Sequence, residues 1–256
     1  MIGSIVCRPV AVVFDLDDTL FPERTFVDCG FRAVARFLAP IVGQPADALA
    51  ERLWELHARD GRGRLFDTLL AELGVAPDED LVLACLLIYR TCEPRLEPSP
   101  GAVEMLAGLR AVGVQIGLIS DGHAAVQRRK LAALPDVTAL LDVVVLTDEL
   151  GRAHWKPSPV PFRVACRLLG VAPTRAAYVG NDTRKDFDGA RRAGLLTIRI
   201  GSRPDEGGAT MDTVAVHSES DGDEPDGGDA DMVVGSFGAL TAALMGMQPP
   251  DPETRR

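Results

Sequence analysis

The sequence lacks the features of a membrane protein and of a disulfide-linked secreted protein. It contains no run of about 20 uncharged apolar residues, which is the length that a membrane-spanning helix needs. Its N-terminus has neither a basic start nor an apolar block ending at a cleavage site, so we expect no signal peptide. The five cysteines are scattered and form no CxxC pair. This argues against a zinc site and against a disulfide framework, and it predicts a cytoplasmic protein.

Basic residues are fewer than acidic ones, and the difference is concentrated in one segment. The net charge of the 256-residue chain is −10, but residues 203–231 hold ten acids against one base and so account for −9. The remainder is nearly neutral and has no basic stripe, so nothing supports nucleic-acid binding. The segment of about residues 203–230 is also rich in glycine and poor in large apolar residues, which predicts a flexible acidic loop.

Short apolar runs that alternate with helical patterns predict an α/β fold with a parallel sheet. The predicted strands are Val10–Phe14, Val114–Ile119, Val143–Leu146, Ala176–Val179, Leu196–Ile200 and Met232–Val234. The predicted helices include Ala102–Ala111, Ala124–Leu134, Val160–Leu169, Asp186–Ala193 and Ser236–Leu244.

The stretch between the first two predicted strands is longer than a single crossover connection requires. Helical periodicity dominates residues 24–98, with Pro40, Pro45 and Pro77 as predicted breaks. We therefore predict a core domain of residues 1–23 and 99–256, with an inserted helical cap domain of residues 24–98.

Acidic residues cluster directly after the first predicted strand. Asp15, Asp17 and Asp18 follow Phe14, at the end of the strand where open α/β sheets bind their ligands. Three neighbouring carboxylates are costly without a cation, and their hard oxygens suit Mg²⁺. The structural alternative is a turn followed by a helix cap, for which Asp and Thr are also typical.

Three later segments place further polar groups after other predicted strands. Ser120-Asp121-Gly122 offers a hydroxyl and backbone amides to an anion, and Lys156 offers a positive charge. Residues 180–186 add two carboxylates and an amide. Each segment alone is also typical of a helix cap, a surface lysine or a polar loop. Their succession, each after its own strand, favours a phosphate and metal site.

Taken together, these motifs resemble those of the haloacid dehalogenase (HAD) superfamily, in its phosphatase branch. The matching segments are FDLDDTLFP (14–22), LISDG (118–122), WKPSP (155–159) and YVGNDTRKDFDGARRAG (178–194). The resemblance implies a Rossmann-like core with a helical C1-type cap inserted after the first motif. It also implies a phosphoric monoester hydrolase that uses Mg²⁺ and acts on a small phosphorylated metabolite through an aspartyl-phosphate.

The resemblance implies a role for each matching residue. Asp15 resembles the family nucleophile, and Asp17 resembles the general acid and base. The phosphoryl-binding pair would be Ser120 and Lys156. The predicted substrate contacts are Thr19, Asp121 and Gly122. The predicted metal ligands are Asp15, Asp17, Asn181, Asp182 and Asp186.

The fourth motif departs from the pattern of many relatives. Its first acidic position is occupied by Asn181, and Asp182 comes next. We therefore expect Asp182 to hold the metal, with Asn181 and Asp186 assisting directly or through water.

Other functions remain open at this stage. A phosphomutase would share all four motifs. A dehalogenase has no alkoxide to protonate, and those relatives lack an aspartate two residues after the nucleophile, so Asp17 favours phosphate chemistry. A non-catalytic phosphometabolite-binding module should have lost Asp15, Asp17 or Lys156, and the sequence retains all three. The sequence predicts neither the substrate nor the oligomeric state.

Overall fold

A computed structural model of the chain describes residues 7–61, 63–75, 78–201, 214–216 and 230–248. Its strands form one sheet in the spatial order β3-β2-β1-β4-β5-β7-β6. They are β1 (Ala11–Phe14), β2 (Gln115–Ser120), β3 (Val143–Leu146), β4 (Ala176–Gly180), β5 (Leu196–Ile200), β6 (Val214–Val216) and β7 (Met232–Val234). All neighbours are parallel except β6 and β7, which are antiparallel. The predicted α/β, Rossmann-like sheet is confirmed.

Helices follow β1, β2, β3, β4 and β7 in the chain, and five of them lie between β1 and β2. In chain order they are α1 (Glu23–Val42), α2 (Ala46–Asp60), α3 (Leu65–Glu72), α4 (Glu79–Thr91), α5 (Ala102–Ala111), α6 (Ala124–Ala132), α7 (Pro135–Thr138), α8 (Val160–Leu169), α9 (Phe187–Ala193) and α10 (Phe237–Gly246). Among these described residues, no helix is both long enough and apolar enough to cross a membrane.

The chain divides into two compact units. One contains Met1–Pro22, Glu97–Gln127 and Leu134–Arg256, and the other contains Glu23–Leu96 and Arg128–Ala133. The predicted insertion of residues 24–98 overlaps most of the second unit.

The sheet of the first unit forms because its strands are apolar on both faces. All four residues of β1 are buried, which is typical of a strand in a parallel sheet covered on both sides. The strand order reverses between β1 and β4, because β2 and β3 follow β1 on one side while β5 follows β4 on the other. Open α/β sheets bind ligands at the carboxyl ends of the strands beside such a reversal.

The second unit has its own apolar core, and α1 packs against α2 and α4 within it. Phe31 and Leu38 of α1 and Leu53 of α2 are buried there, in agreement with the helical spacing of the sequence. Pro45 precedes α2 and separates it from α1, as predicted. Pro40 was wrongly predicted as a break, because it lies inside α1. Since it is within one turn of the end of this helix, few intrahelical hydrogen bonds depend on it. Pro77 lies outside the described residues.

The predicted acidic loop was wrong for a short stretch. Within residues 203–230, Val214–Val216 form β6, which pairs with β7. The apolar sequence of this stretch suits a strand, and our prediction gave more weight to the acids and glycines around it. Ala230 is also described, and the other residues of the predicted loop lie outside the described part of the chain.

Thr197 and Asp231 link β5 to the start of β7. The backbone amide of Thr197 donates to Asp231 Oδ2 over 2.7 Å, and its hydroxyl donates to the same oxygen over 2.8 Å. The amide of Asp231 donates back to Thr197 Oγ1 over 2.9 Å. Thr197 is fully buried, so the protein must supply the partners of its polar groups.

We predict that Asp231→Ala lowers the free energy of unfolding by about 2 kcal/mol, because it leaves buried donors of Thr197 without an acceptor. Urea denaturation of the purified protein measures this change. Asp188→Ala is the matched control, since Asp188 is largely exposed and its carboxylate pairs with the exposed Arg192 at the surface of α9. Equal losses for the two variants would contradict the role given to Asp231.

Candidate active site

Lys156 lies at the centre of a buried charge cluster. Its Nζ donates to Asp15 Oδ1 over 2.5 Å and to Asp186 Oδ1 over 2.7 Å. The side chains of all three residues are almost completely buried. Lys156 also donates to the hydroxyl of Tyr178 over 3.0 Å, and that hydroxyl donates to Asp186 Oδ1 over 3.0 Å. The structure therefore brings together Asp15, Lys156 and Asp186, which the sequence places far apart.

Asp15 leaves β1 at the carboxyl edge of the sheet. Its backbone amide donates to the carbonyl of Val179 in β4 over 2.9 Å, so its position is fixed by the neighbouring strand. The next residue, Leu16, is buried, and Asp18 then has a φ of 55°. Aspartate is one of the few residue types that tolerate this left-handed conformation, which turns the chain sharply after the strand.

Thr19 connects the turn after β1 to the turn after β4, and Asp17 connects the turn after β1 to α6. Thr19 is buried, and its hydroxyl donates to Asn181 Oδ1 over 3.4 Å. Asp17 is partly exposed, and its Oδ2 accepts a hydrogen bond of 2.9 Å from Gln127 Nε2. Thr19, Asn181 and Asp17 thus belong to the same edge of the sheet as Asp15.

Ser120 and Asp121 have different environments at the end of β2. The hydroxyl oxygen of Ser120 is buried and has no hydrogen-bond partner in the described part of the chain. The Asp121 carboxylate is engaged, because its Oδ1 accepts from the Thr147 hydroxyl over 2.7 Å and from the Lys156 backbone amide over 3.2 Å. Asp121 therefore positions the segment that carries Lys156. Gly122 follows with a φ of 113°, a conformation that favours glycine.

The loop after β4 separates its two carboxylates. Asp186 is fully buried, and its Oδ2 accepts from the backbone amide of Asp182 over 3.0 Å. A Cβ at Gly180 would lie 2.5 Å from that same oxygen, so only glycine leaves room for Asp186 here. The Asp182 carboxylate instead accepts from the Arg184 amide over 3.0 Å and lies 3.8 Å from Lys185 Nζ.

Burial and charge shift the pKa values of the cluster in opposite directions. Burial raises the pKa of Asp15 to about 7, an effect that Asp186 and Asp17 increase and Lys156 reduces. Burial also opposes the charge on Lys156, but Asp15, Tyr178 and Asp186 together raise the pKa of Lys156 well above its usual value. Burial acts against ionisation of Asp186 as well, and Lys156 outweighs it and lowers the pKa of Asp186. The cluster therefore holds one ammonium shared between two carboxyl groups.

The oxygen atoms at the carboxyl edge of the sheet suit a Mg²⁺ ion that takes few of its ligands from the protein. Asp15 Oδ2 is buried and has no hydrogen-bond partner among the described residues. Asp17 can add its backbone carbonyl, and Asn181, which accepts from Thr19 in the turn after β1, can add its side-chain oxygen. The described residues include no group of three His, Cys, Asp or Glu side chains arranged to hold a metal. Since Mg²⁺ commonly takes one or two carboxylates and keeps several waters, one carboxylate with a backbone carbonyl and an amide oxygen is a suitable donor set.

Our sequence analysis missed Tyr178, Gln127 and Thr147. Tyr178 and Thr147 bond to Lys156 and Asp121, and Gln127 bonds to Asp17. The sequence carries no local signal for Thr147 or Gln127, because their partners lie 26 and 110 residues away in the chain. For Tyr178, the one available signal is a hydroxyl within an otherwise apolar buried strand, where it requires a partner.

A family model described as haloacid dehalogenase-like hydrolase matches residues 10–194. The chain belongs to the haloacid dehalogenase-like hydrolases. A glyceraldehyde 3-phosphate phosphatase of Methanopyrus kandleri is 36% identical to this hydrolase over 197 residues, which cover 74% of this chain and 83% of the relative. A phosphoserine phosphatase of Thermus thermophilus is 32% identical over 220 residues, which cover 79% and 86%. The family predicted from the four motifs is confirmed.

The fold of this hydrolase is also similar to that of the L-2-haloacid dehalogenase from Xanthobacter autotrophicus. The TM-score is 0.60 at 23% identity, and the match covers 93% of this chain and 99% of the dehalogenase. At this identity the likeness shows the fold alone. The reaction must therefore be argued from the residues at the carboxyl edge of the sheet.

We predict that Lys156→Met lowers the free energy of unfolding by about 4 kcal/mol at pH 7, because it leaves two buried carboxyl groups without their cation. Urea denaturation in EDTA measures the loss. Lys185→Met is the matched control. Lys185 is partly exposed, and its one ion pair, with Asp182, is long at 3.8 Å among the described residues, so this variant should leave stability unchanged within error. A loss as small for Lys156→Met as for the control would contradict the cluster.

We also predict that Asp15→Asn stabilises the metal-free protein in a pH-dependent way. The pKa of Asp15 is about 7 in the folded chain against an ordinary value of 3.8, so the unfolded chain loses this proton first. Asp15 therefore reduces stability progressively as the pH rises from about 4 to 7, and asparagine does not. Urea denaturation in EDTA should show a gain near zero at pH 4 that is largest at pH 8. A gain that does not change with pH would argue against this assignment.

Proposed function

We propose that this protein is a magnesium-dependent phosphohydrolase that acts on a small phosphorylated metabolite through an aspartyl-phosphate on Asp15. One observation carries the proposal. A buried carboxylate lies 2.5 Å from a buried lysine, and both Asp15 Oδ2 and the nearby Ser120 hydroxyl have no partner among the described residues. Buried polar atoms are rarely left unpaired, and a phosphoryl group with its cation would satisfy both.

In the first step, Asp15 attacks the phosphorus in line with the leaving oxygen. A bond forms between Asp15 and phosphorus while the bond to the leaving oxygen breaks. Asp17 gives its proton to that oxygen, so the metabolite departs as a neutral alcohol. Lys156 and Ser120 stabilise the phosphoryl oxygens, on which charge accumulates in the transition state.

In the second step, water hydrolyses the aspartyl-phosphate. Asp17, now ionised, takes a proton from the water as its oxygen attacks phosphorus. The bond between phosphorus and Asp15 breaks, which releases inorganic phosphate and restores the Asp15 carboxylate. The two steps share one acid and base, so the enzyme returns to its starting protonation state.

The metal would be held by the carboxylate of Asp15, the backbone carbonyl of Asp17 and the side-chain oxygen of Asn181, which leaves the Asp17 carboxyl group for proton transfer. The hydrogen bond from Thr19 to Asn181 Oδ1 supports Asn181, because it joins the turn after β4 to the turn that carries Asp15 and Asp17. Asp182 contacts Arg184 and Lys185, which favours a supporting role for Asp182. Asp186 is already bonded to Lys156, which favours a supporting role for Asp186 as well. Bound Mg²⁺ supplies positive charge that neutralises the phosphoryl oxygens and lowers the pKa of Asp15.

The substrate would be a small phosphate monoester. Two relatives are named as phosphatases of glyceraldehyde 3-phosphate and of phosphoserine, and both compounds are three-carbon phosphate monoesters. Asp17 supports phosphate chemistry over dehalogenation, because displacement of a halide from carbon requires no proton for the leaving group. Its hydrogen bond with Gln127 shows that the protein holds this carboxyl group in a fixed place.

We predict Mg²⁺-dependent release of inorganic phosphate from at least one compound in a panel of small phosphate monoesters. The panel should include glyceraldehyde 3-phosphate, phosphoserine and sugar phosphates, each measured with Mg²⁺ and with EDTA. Asp15→Asn should lower kcat by at least about 1,000-fold, because it removes the nucleophile. Asp18→Asn is the matched control and should retain activity, since Asp18 is exposed and asparagine also tolerates its positive φ.

The panel also tests the alternatives. Release that is equal in Asp15→Asn and in the wild type would exclude an aspartyl-phosphate on Asp15. If well-folded protein releases no phosphate from any compound, the proposed phosphohydrolase is wrong. A phosphomutase would then require a bisphosphate activator, and chloride release from 2-chloropropionate would reveal a dehalogenase.

A further inference from the structure

Gln127 contacts the motifs after β1 and β2 at the same time. It lies in the first turn of α6 and is only 2% exposed. Its Nε2 donates to Asp17 Oδ2 over 2.9 Å and also donates to the backbone carbonyl of Asp121. A buried side chain is thus aimed at the carboxyl group that our mechanism uses as acid and base.

The two acceptors fix the orientation of the Gln127 amide. The amide nitrogen carries two hydrogens, and the Asp17 carboxylate and the Asp121 carbonyl provide one acceptor for each. The reversed orientation would place Oε1 against two other oxygens, which is repulsive. In the observed orientation Oε1 is buried without a hydrogen-bond partner in the described part of the chain. Leaving that oxygen unpaired is costly, so the contacts of Nε2 must outweigh this cost.

The backbone around Gln127 is shaped to allow this approach. The amide of Gln127 donates to the carbonyl of His123 over 3.0 Å, which places the residue in the first turn of the helix. A Cβ at Gly122 would lie 3.0 Å from Gln127 Nε2. A side chain at position 122 would therefore crowd the amide, in addition to the strain of its positive φ.

We infer that Gln127 is a positioning residue that holds the Asp17 carboxyl group for proton transfer to the leaving oxygen. The inference rests on the proposed function, because it gives Asp17 the role of acid and base. An N–H donor on Oδ2 keeps that oxygen an acceptor, so the transferred proton belongs on Oδ1. Without Gln127 the carboxyl group can rotate, and small misplacements of a catalytic group reduce rates strongly.

The test compares substrates that differ in their need for an acid. An alkyl phosphate such as phosphoserine leaves as a basic alkoxide that requires a proton, whereas p-nitrophenyl phosphate has a leaving group that is stable as an anion. Gln127→Leu should lower kcat/KM on the best alkyl phosphate of the panel by roughly 100-fold, because kcat/KM reports the first step, in which Asp17 acts as the acid. On p-nitrophenyl phosphate the same variant should lose less than about 3-fold in kcat/KM, because little of the acid catalysis is needed there.

Two further variants separate positioning from packing. Gln127→Met keeps the length of the side chain and removes the donor without adding a charge, so it should show the same selective loss. Gln115→Leu is the matched control, because Gln115 is exposed at the opposite end of β2, and it should leave both rates unchanged. Equal losses on both substrates, or activity of Gln127→Met equal to the wild type, would overturn the inference while the proposed function stands.

A second measurement does not depend on turnover. The side-chain amide signals of Gln127 in a ¹H–¹⁵N spectrum should shift in Asp17→Asn and remain in place in Asp18→Asn. If they do not respond to Asp17→Asn, the positioning inference is wrong whatever the enzyme hydrolyses. If the wild type is inactive on the panel but the shift is present, the positioning contact is supported and the proposed reaction is what fails.

Discussion

The ammonium group of Lys156 lies where water does not reach it, and this constrains the rest of the site. A buried cation requires carboxylates close by, and Asp15 and Asp186 provide them from the turns after β1 and β4. Three separate segments must therefore converge at one point. The parallel register of the sheet makes this possible, because it aligns Phe14 with Val179 and so brings the ends of the two strands side by side. Tyr178 and Gly180 complete the arrangement, one by bonding both charges and the other by leaving space for Asp186.

The described residues supply hydrogen-bond partners for only some of the oxygens in this cluster. Asp15 has one oxygen bound to Lys156 and the other without a partner in the described residues, and burial raises its pKa to about 7. Such a group reduces the stability of the folded chain, whereas Asp186 is held as a carboxylate and contributes to it. Two aspartates that face the same lysine thus differ in what surrounds their second oxygen. The second oxygen of Asp186 accepts from a backbone amide, and that of Asp15 is available to a ligand. Sites that bind and react commonly retain destabilising groups of this kind.

The sequence contains enough information to predict the strands and the order of the motifs, but not the contacts between them. Buried parallel strands are continuous apolar runs, so Val143–Leu146 and Leu196–Ile200 were predicted with the bounds that the structure has. Asp15, Ser120 and Lys156 were predicted from their place after strands. Gln127 escaped notice because a polar residue in a helix that carries several charged residues looks exposed until its partner, 110 residues earlier, is known. Pro40 and Val214–Val216 were misread because local propensity was given more weight than packing and strand pairing.

Asn181 and Asp182 differ in their contacts, and this difference underlies the metal site that we propose. The sequence favours Asp182, because it is the first acid of the fourth motif once Asn181 occupies the usual acidic position. In the fold its carboxylate turns to the Arg184 amide and to Lys185, while Asn181 contacts Thr19 in the turn that also carries Asp15 and Asp17. A neutral amide at this position also adds no negative charge near Asp15, whose pKa the carboxyl groups of Asp186 and Asp17 already raise. A third carboxylate there would raise that pKa further, so the neutral residue suits the role of nucleophile that we propose for Asp15, which must be ionised in order to attack.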